Sequence, residues 1–367
     1  MNDLNNISVI LPSLDPDEKL PGVIEGLLEV GFRDILLIND GSKPENLHYF
    51  TDAAAAHPEV TLLHHAVNRG KGAALKNAIN YFLLHRPDGV GVVTVDGDGQ
   101  HHKLDILACA NAMAESGEVV LGVRDFDHPD VPFRSRFGNK TTCGIFKLFV
   151  GMSVSDTQTG LRAIPRKDLP TMLAIEGDRF EYETNMLLKL KQKSIPFREV
   201  KIRTVYIEEN KSSHFRVIRD SWRIYKLILA HFFRYTLVSI SSAVIDEGCY
   251  VAFYCALHGI LTGLPLTATA TAIARVISSL FNFFMNKAVV FQSGVSTGIA
   301  LLRYYALALP MLVAQALLTH GAYALLGITE DATGVRALIY AVVMTVLYLV
   351  SYMVQQRWVF HEKRDSI

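Results

Sequence analysis

The chain has 367 residues, 36 basic and 36 acidic side chains, and a formal net charge of zero. That balance argues against a nucleic-acid binder, which carries a basic face; four cysteines (Cys109, Cys143, Cys249, Cys255) without CxxC or Cys/His spacing fit reduced thiols rather than a disulfide framework or a zinc site. Half of the residues are apolar, a high share for a soluble protein, and the excess is concentrated in the second half.

The opening segment "MNDLNNISVILP" has no basic region and only a short apolar run, so a cleaved signal peptide is not expected. From there to about Lys226, short β-rich runs alternate with helical patterns. "ISVILP", "DILLIND", "VTLLHH", "GVVTVD" and "EVVLGV" read as strands, and amphipathic stretches such as 20–30 and 72–85 lie between them. Such alternation predicts βαβ units and an α/β domain with a mostly parallel sheet. Ligands of open α/β sheets sit at the carboxyl ends of the strands. The polar tails "NDGS", "DGDGQ" and "GVRD" fall there.

In chain order, "LLINDGS" ends a strand with Asp40, Gly41 and Ser42, groups suited to a ribose or a base. "NRGKGAAL" opens a helix, and its amides and Lys71 could face a phosphate. It is not a dinucleotide fingerprint, because Leu75 stands where GxGxxG needs its last glycine, and it lacks the spacing of a P-loop. The run "VVTVDGDGQHH" (92–102) then places Asp96, Asp98 and Gln100 directly after an apolar strand. Hard oxygen ligands around one point suit Mg²⁺ or Mn²⁺, with phosphate oxygens and water completing the shell. Gly97 and Gly99 permit close approach of a ligand to the backbone. A plain acidic turn would have the same composition. His101 and His102 are expected to begin the next helix or to line the cleft rather than to ligate.

Beyond Lys226 the composition changes. Segments 235–257, 264–286, 304–327 and 337–356 are each near the ~20 apolar residues that span a bilayer core, and the last two contain no Asp, Glu, Lys or Arg. The chain therefore divides at 226/227 into an α/β domain and an all-α membrane domain. Basic residues cluster before the first span, between the second and third, and after the fourth. By the positive-inside rule both termini and the α/β domain face the cytoplasm. The stretch 216–226 carries four basic residues with Trp222, Ile224 and Tyr225, and reads as an interfacial helix or a solvated linker. Asp246, Glu247 and Arg275 lie inside the first two spans, where charges are costly and usually paired. Counting inward from the shared outer loop at ~1.5 Å per residue puts Asp246 and Arg275 at similar depth, and they are expected to pair.

With these residues in hand, residues 7 to about 215 resemble the family 2 glycosyltransferases of the GT-A fold, in particular the polyprenyl-phosphate sugar transferases. The resemblance rests on "VILPSLDPDEKLPGVIEGL", "LLINDGS", "NRGKGAALKNAI", "VDGDGQHH", "GVRDF", "RSRFGNK", "SDTQTGLRAIPR", "FEYETNML" and "VKIRTVYIEENKSSHF", in order along the domain. Residues 231–361 are similar to the GtrA-like four-helix membrane family, with "FNFFMNKAVVF" and "QQRWVF" as helix ends. The resemblance implies that Asp96, Asp98 and Gln100 hold a metal and the donor diphosphate, that Asp40 binds the nucleoside, and that Pro12 and Ser13 open its pocket. It further implies phosphate contacts for Arg124, Arg134 and Arg136, the last two toward the acceptor. Arg203, Lys211 and Ser212 fall in a loop that closes over the diphosphate, and Asp156 and Glu183 match acidic positions near the sugar and the acceptor. Two departures stand out. "PSLDP" replaces the usual "PxYNE", which leaves the base open between uracil and guanine, and "QQRW" is one residue short of the QxxRW of processive synthases.

The implied activity is transfer of a sugar from a UDP- or GDP-linked donor to a polyprenyl phosphate, with inversion, using Mg²⁺ or Mn²⁺. The implied partners are the nucleotide-sugar, the lipid phosphate, the bilayer and, through the small residues "TATATAIA", a second subunit; no nucleic acid is expected. The alternatives are a membrane half that translocates the lipid-linked sugar or recruits a partner, and a transferase acting on another lipid such as diacylglycerol.

Overall fold

A computed structural model describes residues 4–128, 131–203, 217–328 and 332–361. Lys211, Ser212 and the Arg134 side chain lie outside the described parts. The chain forms two compact units, Met1–Leu227 and Ile228–Ile367.

The first unit is built on seven strands: β1 (Ile7–Ser13), β2 (Ile35–Asn39), β3 (Val60–His64), β4 (Gly91–Thr94), β5 (Val119–Arg124), β6 (Arg162–Pro165) and β7 (Phe197–Ile202). Its helices are α1 (Lys19–Glu29), α2 (Leu47–Ala56), α3 (Lys71–His85), α4 (Lys103–Ser116), α5 (Phe133–Phe149), α6 (Leu169–Leu173) and α7 (Glu181–Lys193). The sheet order is β3-β2-β1-β4-β6-β5-β7. All pairings are parallel except those of β6 with β4 and with β5. The mostly parallel sheet expected of a GT-A domain is therefore present. All five strands read from the sequence are in it. The other two escape a pattern search for physical reasons. β6 has four residues and starts on an arginine, while β7, "FREVKI", alternates apolar with charged side chains and is mostly solvent-accessible.

β1 and β2 are continuous apolar runs because both faces of the sheet are covered. Val9, Leu11, Leu37, Val93 and Val95 are buried against Leu20, Ile24 and Leu27 of α1. The chain steps outward from β1 through β2 to β3, then returns to the other side of β1 for β4. That reversal is a topological switch point, and it opens a crevice between the carboxyl ends of β1 and β4. Pro12 and Ser13 end one of these strands, and Asp96–Gln100 follow the other.

The second unit consists of α8 (Val217–Leu257, which begins in the first), α9 (Gly263–Met285), α10 (Thr297–Leu325) and α11 (Thr333–Val354). Four stretches are long and apolar enough to cross a membrane: Ile228–Leu257, Gly263–Val290, Thr297–Leu325 and Thr333–Val359. The first, third and fourth start earlier than expected, because Arg234, Arg303 and Arg336 bounded the apolar runs without ending the helices. Only 6% of the core windows of the last two stretches is buried, so their apolar surface faces outward, as a lipid-facing helix requires. α9 and α11 each end in a π-helical turn, 286–290 and 355–359, beside a cluster of Phe283, Val295, Ala300, Val359 and Phe360. Inside the spans Arg275 Nη2 lies 3.4 Å from Asp246 Oδ2, and Ser278 Oγ donates to Asp246 Oδ1 at 2.8 Å. The expected pairing is present.

Candidate active site

The loop after β4 turns directly beneath the end of β1. Gly97 has no room for a side chain there: a Cβ would collide with Ser13 Oγ. Ser13 is buried and its hydroxyl has no hydrogen-bond partner among the described residues. This contact brings the nucleotide-side strand end and the acidic turn together. Pro12, half-buried, lies beside Ser13 on the same strand end.

Asp96 does not stand alone. Lys71, the first residue of α3, puts its ammonium 2.5 Å from Asp96 Oδ1 and 2.8 Å from Glu183 Oε1. Burial works against the charged ammonium, but Asp96 and Glu183 outweigh it and hold Lys71 above its ordinary value. Burial alone would raise the Asp96 carboxyl; the Lys71 charge reverses that and drives it far below the usual carboxylate range. Asp98 moves the other way, pushed up first by burial and then by the charge of Asp96. Its Oδ1 accepts from the Gln100 backbone N–H at 3.0 Å. Two neighbouring carboxylates thus differ sharply because only one has a lysine on it.

The histidines behave as expected. His102 caps α4, its ring accepting from Leu104 N–H at 3.2 Å. His101 lines the cleft, its side chain 9% exposed and Nε2 3.6 Å from Asp96 Oδ2. Neither of its ring nitrogens has a hydrogen-bond partner among the described residues.

Asp40 is 4% exposed. Its Oδ1 lies 2.7 Å from His65 Nδ1 and accepts Arg69 N–H at 2.9 Å, and its Oδ2 accepts Gly70 N–H at 2.8 Å. The carboxylate thus holds segment 65–70, which leads into α3. Gly70 has φ of 100°, and a Cβ there would meet Asp178 O at 2.5 Å, so only glycine passes this point.

On the other side of β4, Asp156 is fully buried. It grips Arg124 at the end of β5 through two parallel hydrogen bonds, Nε to Oδ2 at 2.7 Å and Nη2 to Oδ1 at 3.1 Å. Arg136 on α5 donates from Nε to Phe126 O and from Nη2 to His128 O, both at 2.9 Å, and so staples the turn after β5. Arg203 follows β7 and docks on the start of α4, its backbone N–H donating to Asp105 Oδ2 at 3.0 Å. The structure therefore brings Ser13, Lys71, Asp96, Asp98 and Glu183 into one cleft and clamps Arg124 to Asp156 beside it.

Three residues in this arrangement were not singled out from the sequence. Gly160 seals the floor: a Cβ there would collide with Asp96 Oδ2 and come 2.9 Å from Lys71 Nζ. Thr94 Oγ1 fixes this loop by donating to Gly160 O at 2.7 Å. Arg162 is 1% exposed, donating from Nη1 to Glu183 O at 2.7 Å and from Nε to Thr159 O at 3.2 Å. Burial lowers its affinity for its proton, and Glu183, Asp156 and Asp96 act against that. The signal existed: a lone charge opening the apolar run "LRAIP" needs buried carboxylates nearby.

Among the described residues no three His, Cys, Asp or Glu side chains converge into a ready-made metal cage. Mg²⁺ does not need one, since it is usually held by one or two carboxylates plus substrate phosphates. Asp96 and Asp98 give two hard carboxylates in one turn, and the second is destabilised by the first. Those residues fit a hard divalent cation and not a thiophilic one.

Residues 8–170 match glycosyl transferase family 2, and residues 234–360 match the GtrA/DPMS transmembrane domain. An uncharacterized protein of Methanocaldococcus jannaschii is 28% identical over 240 residues, 64% of this chain and 96% of its own length. The UDP-N-acetylglucosamine–dolichyl-phosphate N-acetylglucosaminyltransferase of Methanococcus voltae is 25% identical over 240 residues, 61% of this chain and 95% of that protein. An undecaprenyl-phosphate 4-deoxy-4-formamido-L-arabinose transferase of Pectobacterium carotovorum is 29% identical over 178 residues, 47% of this chain and 53% of that protein. Among solved structures, a mannosyltransferase from Pyrobaculum calidifontis in complex with GDP-Man and Mn²⁺ covers 96% of this chain and 87% of its own at 14% identity and a TM-score of 0.41. The chain joins a family 2 glycosyltransferase domain to a GtrA/DPMS-type transmembrane domain.

Proposed function

We propose that this membrane glycosyltransferase moves a sugar from a UDP- or GDP-linked donor to a polyprenyl phosphate, with inversion at C1, for cell-surface polysaccharide or glycoconjugate synthesis. The observation that carries this reading is the cleft at the switch point, where Lys71 bridges Asp96 and Glu183 next to Asp98, in a chain with four membrane-length helices. The Methanococcus and Pectobacterium proteins are named for transfer to dolichyl and undecaprenyl phosphate, which supports a lipid phosphate as acceptor.

In the proposed reaction a phosphate oxygen of the acceptor attacks C1 of the sugar. The bond from C1 to the donor diphosphate breaks, and the nucleoside diphosphate leaves with the electron pair. One in-line displacement inverts C1. The acceptor is anionic at neutral pH, so no strong general base is needed, and neutralising the leaving diphosphate is the main demand. Mg²⁺ or Mn²⁺, held by Asp96, Asp98 and Gln100, would supply Lewis-acid chemistry there. Arg124 presents a guanidinium whose direction is fixed by Asp156, and it is assigned to the phosphate oxygens of the donor. Glu183 is assigned to the acceptor side, and Asp156 acts near the sugar through the direction it gives Arg124. Pro12 and Ser13 border the nucleoside, which Asp40 serves by holding segment 65–70. Arg203, Lys211 and Ser212 are assigned to the diphosphate. Arg134 and Arg136 are assigned to the acceptor phosphate, Arg136 also through the turn it staples. The catalytic domain and both termini are placed in the cytoplasm by the distribution of basic residues, and the small residues 267–274 are assigned to packing against a second copy.

The test is mass spectrometry of the lipid product. The purified chain, with Mg²⁺ and a polyprenyl phosphate, is offered a panel of nucleotide-sugars. One sugar-phosphate-polyprenol is expected, and none with a chelator present. Transfer to diacylglycerol but not to polyprenyl phosphate would sink the acceptor assignment. The Asp246–Arg275 pair inside the spans favours one second reading, movement of the polar headgroup across the membrane. Vesicles containing the chain and a labelled lipid-linked sugar separate the two.

A further inference from the structure

The acidic cleft already holds a cation of its own. Lys71 Nζ is in contact with both Asp96 and Glu183, at 2.5 and 2.8 Å, and its side chain is 16% exposed. Gly160 closes over this contact, so the ammonium cannot slide further into the protein without meeting backbone. Asp98 forms no ion pair among the described residues. His101 sits beside Asp96 with its side chain nine-tenths buried and both ring nitrogens without hydrogen-bond partners there. A buried imidazole 3.6 Å from a carboxylate, with neither ring nitrogen in a hydrogen bond among the described residues, marks a site that a ligand completes. One of the two carboxylates offered to a divalent ion is therefore occupied by the lysine.

We propose that Lys71 competes with the divalent cation for Asp96, and that the donor diphosphate relieves the competition by drawing the ammonium away. The inference rests on the metal and diphosphate reading given above. Lys71 is suited to both positions. Its ammonium is a compact charge on a flexible four-carbon stem with three donors, so it can turn without moving the backbone. It is also the first residue of the fifteen-residue helix α3, whose N-terminus favours a phosphate group. Glu183 retains one contact with the ammonium while Asp96 is freed. The cleft then binds metal weakly when no donor is present and strongly when one is, which ties assembly of the catalytic site to arrival of the substrate. The coupling is reciprocal, so metal also tightens the donor by the same factor.

The experiment measures Mn²⁺ binding to the full chain in detergent, without phosphate or nucleotide, from the electron paramagnetic resonance signal of free Mn²⁺. Lys71→Met and Lys71→Gln are compared with wild type. The Gln side chain is uncharged and one bond shorter, so the second variant removes the ammonium while keeping a hydrogen-bonding group in the cleft. Both are expected to bind Mn²⁺ about tenfold more tightly than wild type, within the ~5–150-fold span of coupling between sites, and Asp98→Asn to bind it far more weakly. Equal or weaker affinity in both Lys71 variants, with binding still lost in Asp98→Asn, overturns the competition and leaves the metal site standing. Mn²⁺ affinity unchanged by Asp98→Asn overturns the metal reading, and this inference with it.

Discussion

Asp156 is fully buried, yet both of its carboxylate oxygens bind the guanidinium of Arg124, at 2.7 and 3.1 Å. The aspartate cannot itself be bathed in solvent, so its effect on a substrate runs through the direction it gives the arginine. Asp156→Asn keeps the shape but loses the charge-assisted pair. Turnover is expected to fall on the order of 10²-fold, the typical cost of losing one preorganised donor at a developing charge. Arg124→Lys should fall nearly as far, because an ammonium cannot make the two parallel bonds. Steady-state transfer kinetics with saturating donor check both; wild-type kcat in either variant would remove Arg124 from the reaction.

Gly160→Ala tests how tightly the cleft is built. The added methyl would meet Asp96 and Lys71 together, and either must shift. Loss of transfer is expected with little loss of stability, since the collision falls on two side-chain ends rather than on the core. Circular dichroism melting alongside the transfer assay separates these effects. A fully active alanine variant would mean that the Asp96–Lys71 contact is looser than the distances indicate.

Inside the spans, Asp246→Asn removes the charge that pairs with Arg275 and keeps an amide oxygen that can accept from the Ser278 hydroxyl. The single variant is expected to lower the thermal stability of the detergent-solubilised protein. The charge-free double variant Asp246→Asn/Arg275→Gln is expected to recover part of the loss, as contacting residues are non-additive. Size-exclusion after stepwise heating is sufficient. Additive losses would show that the two side chains do not depend on each other.

Cys109 offers a readout of the soluble core. Its thiol is buried and is pushed up to about 12, first by burial and then by Asp105. At pH 8 about 1 in 10⁴ such thiols would be ionised, too few to react readily. Iodoacetamide should leave Cys109 unmodified in the native protein and label it in denaturant. Native labelling of Cys109 would reveal opening between α4 and the sheet.

How much of this was legible in advance depends on the range over which each feature is specified. A strand such as "GVVTVD" declares itself in six residues, and so does an acidic turn set after it. Four long apolar segments are visible from composition, and even the Asp246–Arg275 pair follows from counting along two helices that share a short loop. The charges flanking the spans misled the count at Arg234, Arg303 and Arg336, because helix continuity is governed by backbone hydrogen bonds and not by hydropathy. β6 stayed hidden because four residues beginning with arginine carry no period.

The sequence by itself determined the local elements, their order and the chemistry of the acidic turn, since period and composition act over a few residues. Which charges meet was decided only by the tertiary structure. Lys71 faces Asp96 and Glu183, Arg162 donates to the Glu183 backbone carbonyl, and Asp40 turns into segment 65–70, because strand order and the antiparallel insertion of β6 bring distant stretches to one point. A buried charge is tolerated only where such a partner arrives, and no local pattern records which partner that is.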